Sequence, residues 1–293
     1  MKIIDTTTFF EEHLMMDLRF NILDPFVDKF VVCEARFSHS GKEKEIKFNK
    51  KDYPKFEDKI LHVIIDNDPV EKNFDKKANP SVLRLNSIQR IEAQRNHIAK
   101  ALANEDKEDY IIYSDNDEIP NLRNFDFNTN KSKIVIFKQK LFYYKFNLFT
   151  DRILWYGTKA IKKKNLLNFE TLRQIKPKKY KFYRFDTLFK KDKFINLKII
   201  KDGGWHFTRV LSPEEIHQKE LDAEHHDEYR ASNKNPERIK DLIKRRMIDH
   251  DHLADTRENK YGKEFALQQL SLEKMPSYIR ENQDKYKDFL DLD

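Results

Sequence analysis

Cysteine occurs once and glycine five times in this 293-residue chain, and no apolar run approaches the length of a membrane span. A lone cysteine, Cys33, excludes an intramolecular disulfide and any zinc centre built on thiolates, and it points to a reducing compartment. It lies in the apolar run Phe30-Val-Val-Cys33 and reads as a core residue. So few glycines leave no Gly-rich phosphate loop of the Walker or dinucleotide type, so any phosphate must be held by a metal, Arg or Lys. A span needs roughly twenty consecutive apolar residues, so no transmembrane segment is expected. The chain enters a strand pattern at Lys2 to Asp5 without a secretory leader, which predicts a cytoplasmic protein.

What is present is enough for a large core. Hydrophobic residues make up 39% and aromatics 13%, with 23 Phe and 12 Tyr, so the 37% of charged residues do not signal disorder. The net charge of +7 arises from 57 basic against 50 acidic residues. Lys runs at Lys162-Lys-Lys164 and Lys176 to Lys181 read as solvated loops before a nucleic-acid surface. An anionic substrate explains the charge equally well.

Strand and helix alternate through the first half. Short β runs are expected at Lys2–Asp5, Phe30–Glu34, Leu61–Ile65 and Tyr110–Tyr113, with helices over Glu11–Leu23 and Ser87–Asn104. Further strands are expected at Lys133–Lys138, Leu141–Phe146, Ile153–Ile161 and Asn196–Ile200. This predicts an α/β fold, a mixed sheet flanked by helices on both faces. From Ser212-Pro-Glu-Glu215, an N-cap with Pro at the first helical position, the pattern turns helical. The expected organisation is a main domain over 1–230 with a helical extension, 231–293, packed on it.

The segment Ile111-Ile-Tyr-Ser-Asp-Asn-Asp-Glu-Ile-Pro120 carries the most chemical information. Residues i and i+2 of an extended segment point the same way, so Asp115 and Asp117 can face one partner. Two adjacent anions repel unless a cation is near, and hard oxygen ligands favour magnesium or manganese. Asp-x-Asp by itself also suits a solvated Asx turn; the buried strand in front argues for the metal. In open α/β sheets ligands bind at the carboxyl ends of strands, where Glu34, Asp115, Asp117 and the Thr6–Phe10 segment all fall. His206, on the turn Gly203-Gly-Trp-His206, is a candidate third ligand. Arg90 and Arg95 stand about 140° apart on one helix, so at most one faces the site; Arg95, flanked by Gln94 and Asn96, is preferred. The cluster His225-His-Asp-Glu228 reads as a solvated helix face.

Together these strings resemble glycosyltransferase family 17, the group of the bisecting N-acetylglucosaminyltransferase. The resemblance is carried by Phe9-Phe10…Glu12…Asp17-Leu-Arg19, Val31-Val-Cys-Glu34…Phe37…Gly41, Gln94-Arg-Asn96, Asp115-Asn-Asp-Glu-Ile-Pro120, Gly204-Trp-His-Phe207, and Ser212-Pro-Glu-Glu-Ile216 with Lys219. It runs in order from about residue 5 to residue 230 and is weakest over Lys162–Lys198. It implies a GT-A-type (Rossmann-like) fold and an inverting, metal-dependent transfer of a sugar, GlcNAc by analogy, from a UDP-sugar to a saccharide or glycolipid acceptor. Asp115 and Asp117 would hold Mn2+ or Mg2+ with the diphosphate, and His206 would be a further ligand. Phe10, Glu34, Arg95 and Asp115 would bind the donor. Asp202, Glu118 and Glu228 are the candidate bases. A Lys-, Asn- and Ile-rich chain of this kind suggests a bacterial or viral source, with at most peripheral membrane contact. The rival reading is a metal-dependent nucleic-acid-binding or phosphodiester-cleaving protein; no nucleic acid is expected on the transferase reading.

Overall fold

The computed structural model describes residues 1–71, 79–123, 125–177, 196–223, 226–251 and 261–292. In chain order its strands are β1 (Ile3–Phe9), β2 (Lys29–Ala35), β3 (Ile60–Ile65), β4 (Tyr110–Ser114), β5 (Glu118–Pro120), β6 (Ile134–Phe137), β7 (Gln139–Tyr143), β8 (Leu148–Trp155), β9 (Lys159–Lys162), β10 (Leu197–Ile200), β11 (Gly204–Thr208), β12 (Met247–His250), β13 (Tyr261–Ala266) and β14 (Gln268–Gln269). The helices are α1 (His13–Leu23), α2 (Pro80–His97), α3 (Phe169–Gln174), α4 (Pro213–Asp222), α5 (His226–Ala231), α6 (Pro236–Lys244), α7 (Ser277–Glu281) and α8 (Gln283–Tyr286).

A seven-stranded sheet in the order β10-β6-β9-β4-β1-β2-β3 forms the centre. Strands β4, β1, β2 and β3 run parallel, and β9 is inserted antiparallel between β4 and β6. The apolar runs at the parallel strands follow from burial on both faces. Ile111 and Tyr113 pack with Val31, Cys33, Ile98, Leu102 and Phe169 on one side. Tyr110 and Ile112 share the other with Phe20, Phe30 and Val32. Each such side chain contributes about 1.5–3 kcal/mol by leaving water. Cys33 is fully buried, and burial pushes its thiol up to about 12, as a core residue requires.

A second, five-stranded sheet in the order β14-β8-β7-β11-β5 stands beside the first. The chain passes between them repeatedly, and two of these passages bear on the site: 115–117 from β4 into β5 and 156–158 from β8 into β9. The second passage divides the single strand expected over Ile153–Ile161. A buried ion pair fixes the first. Arg19 on α1 donates from Nε and Nη2 to the two Asp5 oxygens, each at 2.6 Å, and from Nη1 to the Glu118 carbonyl at 2.7 Å. Helix α2 begins earlier than the pattern predicts, because Asn79 caps it by accepting from the Val82 amide and Pro80 occupies the first turn. At Ser212 the expected N-cap is a full capping box with Glu215.

The C-terminal stretch departs from the helical expectation. β12 and β13 pair as an antiparallel two-stranded sheet, and β14 extends the second sheet by pairing with Leu148 and Phe149. Its last helices close on the domain: Tyr286 packs edge-on against Phe146 and donates its hydroxyl to Asp17 at 2.7 Å.

Candidate functional site

The carboxyl ends of β1 and β4 open into a cavity of about 230 Å³. Phe9 and Phe10 from the end of β1, Gln94 and Arg95 from α2, Asp115 to Asp117, and Lys219 from α4 line it. This is where a parallel sheet leaves strand-end amides and side chains free for a ligand. Gln94 ties the floor together, donating from Nε2 to the carbonyls of Phe9 and Cys33 at 3.2 and 3.1 Å.

Asp115 and Asp117 do face one region, but they are held in opposite ways. The Asp115 carboxylate is saturated. Oδ1 accepts from the Tyr113 hydroxyl at 2.8 Å and Arg95 Nη2 at 3.3 Å, and Oδ2 accepts from Arg173 Nε and Nη2 at 3.0 and 2.7 Å. Burial works to raise its pKa, yet the Arg173 and Arg95 guanidinia outweigh that and hold it well below the usual carboxylate range. Arg95 also donates to the Tyr113 hydroxyl and to Glu170, using three of the five N–H donors of a guanidinium. Arg173, on α3, was not among the residues the sequence singled out. It lies 58 residues from Asp115 and follows a Lys-rich stretch with no motif.

Asp117 has a sparser setting. Its Oδ2 lies 3.1 Å from His206 Nε2, and its backbone carbonyl accepts from the Phe207 amide at 2.8 Å. Strand β11 makes this contact, because its antiparallel register with β5 sets His206 opposite Glu118. Burial would lower the imidazole pKa, but the Asp117 carboxylate outweighs it and the result is raised. Among the described residues His206 Nδ1 is buried without a hydrogen-bond partner. Gly204 permits the close approach of β11 to β5: it has φ +116°, and a Cβ there would meet the Ile119 carbonyl oxygen at 2.2 Å.

Lys219 completes the cavity. Its Nζ lies 2.7 Å from Glu12 Oε1, while Glu12 Oε2 accepts from the amides of Phe10 and Glu11 at 3.0 and 3.1 Å. Burial opposes ionisation of Glu12, but Lys219 and these two amides prevail and hold its pKa down at about 2. For Lys219 burial works downward, and Glu12 and then Asp117 more than offset it, so its pKa is raised.

Several expected site residues stand elsewhere. Glu34 does sit at a strand end, but it is fully buried. It accepts from Lys44 Nζ at 2.5 Å and from the amides of Lys47 and Phe48, so it anchors the 44–48 segment and is not part of the cavity wall. Phe10 and Arg95 do line the cavity. None of the three candidate bases does. Glu118 is fully buried beneath it, accepting from Trp155 Nε1 at 2.6 Å and Arg173 Nη2 at 3.1 Å. Its carboxylate fills the space over Gly157, where a Cβ would meet it at 2.2 Å. Asp202 lines a separate cavity of about 150 Å³ on the second sheet, with Lys138, Asp151 and Leu154. Glu228 pairs with Arg84 at 3.2 Å. The described carboxylates that line the main cavity are Glu12, Asp115, Asp117 and Asp222. Arg90 points away to Asp68, as its angular separation from Arg95 requires.

A divalent cation fits this donor set only in part. Among the described residues no group of three or more His, Cys, Asp or Glu side chains is arranged to hold a metal ion. Asp115 has its oxygens engaged, which leaves Asp117 and His206. Such a pair suits magnesium or manganese that takes its other ligands from substrate phosphates and water. The Lys162–Lys164 run is engaged as well: Lys162 and Lys164 bind Glu108, and Lys163 donates to the carbonyls of Ala103 and Glu105. It presents no free basic stripe for nucleic acid. Residues 178–181 of the other run, and His225 of the acidic cluster, lie outside the described residues. No helix among the described residues is long and apolar enough to cross a membrane.

In comparisons with known proteins, the sequence model of glycosyltransferase family 17 matches residues 1–291. No curated protein matches the chain. Among solved structures, it is similar to HddC from Yersinia pseudotuberculosis at 12% identity over 70% of this chain and 91% of that chain, with a TM-score of 0.32. The same protein complexed with GMP-PN is similar at 11% identity over 69% of this chain and 91% of that chain, with a TM-score of 0.31. At such TM-scores the strand order itself, not the likeness, carries the description of the fold.

Proposed function

The chain belongs to glycosyltransferase family 17, and on that premise we propose that the cavity at the ends of β1 and β4 takes a nucleotide-sugar donor. The donor is a UDP-sugar, UDP-GlcNAc on the family resemblance, and the sugar passes with inversion to a saccharide or glycolipid acceptor. The fold is accordingly read as GT-A type. The observation that carries this reading is the meeting of Lys219, Arg95 and Asp117, the last in contact with His206, around one strand-end cavity lined also by the aromatic ring of Phe10. It offers cations for a diphosphate and an apolar surface for a base in the same space.

Asp117 and His206 would hold Mn2+ or Mg2+, which when bound neutralises charge developing on the leaving diphosphate. The chain's own cations serve the same end. Lys219 is a point charge on a flexible stem and can follow the phosphates. Arg95 is fixed by Tyr113, Glu170 and Asp115, and it presents its remaining N–H donors to the cavity without reorganisation. Asp115 acts here as the anchor of Arg95 and Arg173, not as a ligand of the cation. Phe10 and Ile91 offer the apolar contact that a nucleoside needs.

Thermal-shift measurement with UDP-, GDP-, CMP- and dTDP-sugars in the presence of manganese tests the reading. Stabilisation by UDP-GlcNAc above the others is expected. A protein that none of these ligands stabilises would overturn the donor assignment.

A further inference from the structure

Glu12 is an unexpected neighbour for a phosphate site. Its carboxylate is among the walls of the cavity, is 5% exposed, and is ionised; an anion so placed repels a diphosphate. Its two oxygens have different partners. Oε2 is fixed by the Phe10 and Glu11 amides, which are part of the turn from β1 into α1. Oε1 has Lys219 at 2.7 Å as an ion pair but, among the described residues, no aligned hydrogen bond. Lys219 is itself partly exposed, sits on α4, and lines the same cavity. A small second space is bordered by Met15, Phe207 and Arg209, and Glu12, Asp117 and Lys219 border both it and the main cavity. The lysine therefore stands at a junction where it can turn from one anion to another.

We propose that Glu12 is a positioning residue that competes with the donor's diphosphate for Lys219. In the ligand-free protein Glu12 keeps the ammonium charged and inside the cavity. When a nucleoside diphosphate enters, Lys219 exchanges the Glu12 carboxylate for phosphate oxygens. When the nucleotide leaves, Glu12 takes the lysine back, which weakens retention of the product. No covalent step is involved. The competition reduces apparent affinity by the fraction of molecules in which Lys219 is committed to Glu12. This rests on the reading of the cavity as a nucleotide-sugar site.

The sign of one substitution separates this role from a structural one. Glu12→Gln keeps an amide oxygen for the Phe10 and Glu11 N–H groups and removes the competing charge. Titration of UDP with manganese into the full chain should show E12Q binding about three- to tenfold more tightly than the wild type. Lys219→Met should bind at least about tenfold more weakly than the wild type, and unchanged affinity in that variant would overturn the proposal. A Glu12 that merely supports the fold gives weaker binding in E12Q, and that result, or unchanged affinity, overturns the proposal. Glu12→Asp withdraws the carboxylate from Lys219 by one methylene and keeps its charge for the two amides. It should tighten UDP binding by a smaller factor, and weaker binding would count against the proposal in the same way. A wild-type chain that binds neither UDP nor UDP-GlcNAc overturns the donor reading and this inference with it. A wild-type chain that binds UDP while E12Q binds no better overturns this inference alone.

Discussion

Asp115 and Asp117 are two residues apart and line one cavity, yet one is an anchored part of the scaffold and the other is held far more sparsely. Asp115 accepts from two guanidinia and a phenol, and its neighbours Glu118, Trp155 and Arg173 are bonded to each other in turn. Among the described residues Asp117 has His206 as its side-chain partner, with Lys219 near enough to feel its charge. A saturated carboxylate gives rigidity, since each lost partner leaves a buried charge exposed to a low dielectric. A carboxylate with spare lone pairs can take a cation or a ligand. The motif is thus asymmetric: its first acid organises cations, and on the proposed reading its second meets the ligand.

Separate substitutions should pull these roles apart, and this is the largest effect expected. Asp115→Ala leaves Arg95 with Glu170 and Arg173 with Glu118 as their carboxylate partners among the described residues. The expected loss is about 3 kcal/mol of unfolding free energy, the lower end for breaking a buried pair. Asp117→Ala should cost less than about 1 kcal/mol, because a neutral imidazole needs no anion beside it. Its effect falls on function, with manganese-dependent binding or hydrolysis of UDP-GlcNAc reduced about a hundredfold. Urea unfolding and UDP release measured on both variants would decide the matter. Equal losses of stability would remove the distinction between the two acids.

The Glu12–Lys219 pair lines the same cavity and carries a stability signature of its own. The Glu12 pKa is lowered from 4.5 to about 2, so its contribution is complete above pH 4.5 and is lost as pH falls through about 2. That shift corresponds to stability on the order of 3 kcal/mol. In E12Q the acid limb of the stability curve between these pH values should flatten, as followed by denaturant midpoints at each pH. A wild-type-like slope in E12Q would place the acid sensitivity in other carboxylates.

The sequence made the central strands visible because both of their faces are apolar: Tyr110 to Tyr113 and Phe30 to Cys33 could be little else. Helix geometry also showed that only one of Arg90 and Arg95 could face the site, and the flanking Gln94 and Asn96 favoured Arg95. The sequence could not show what a strand-end carboxylate meets. Glu34 lies at the edge where ligands bind, yet loop amides and Lys44 consume it. Arg173 was hidden because its partners lie 55 and 58 residues earlier, through contacts that no local pattern encodes. The β12–β13 pair escaped for a related reason. Its strands are short and charged, and only pairing such as Ile248 with Phe265 gives them a buried side.

The smallest effect should come from Asp202. It followed from its turn beside Gly203-Gly204-Trp205-His206 that this acid could reach the site. Strand β11 instead carries His206 toward Asp117 while Asp202 stays beyond the opposite end of the strand. Two residues of extended chain advance roughly 7 Å, and Asp202 is four residues from His206. Its side chain is exposed and borders the separate cavity with Lys138 and Lys201. Asp202→Asn should therefore leave UDP-GlcNAc affinity and the rate of UDP release within about twofold of the wild type, since an exposed charge acts weakly over more than a Debye length. A rate reduced a hundredfold with affinity unchanged would return Asp202 to the chemistry, and would mean that the two sheets close on each other when the donor binds.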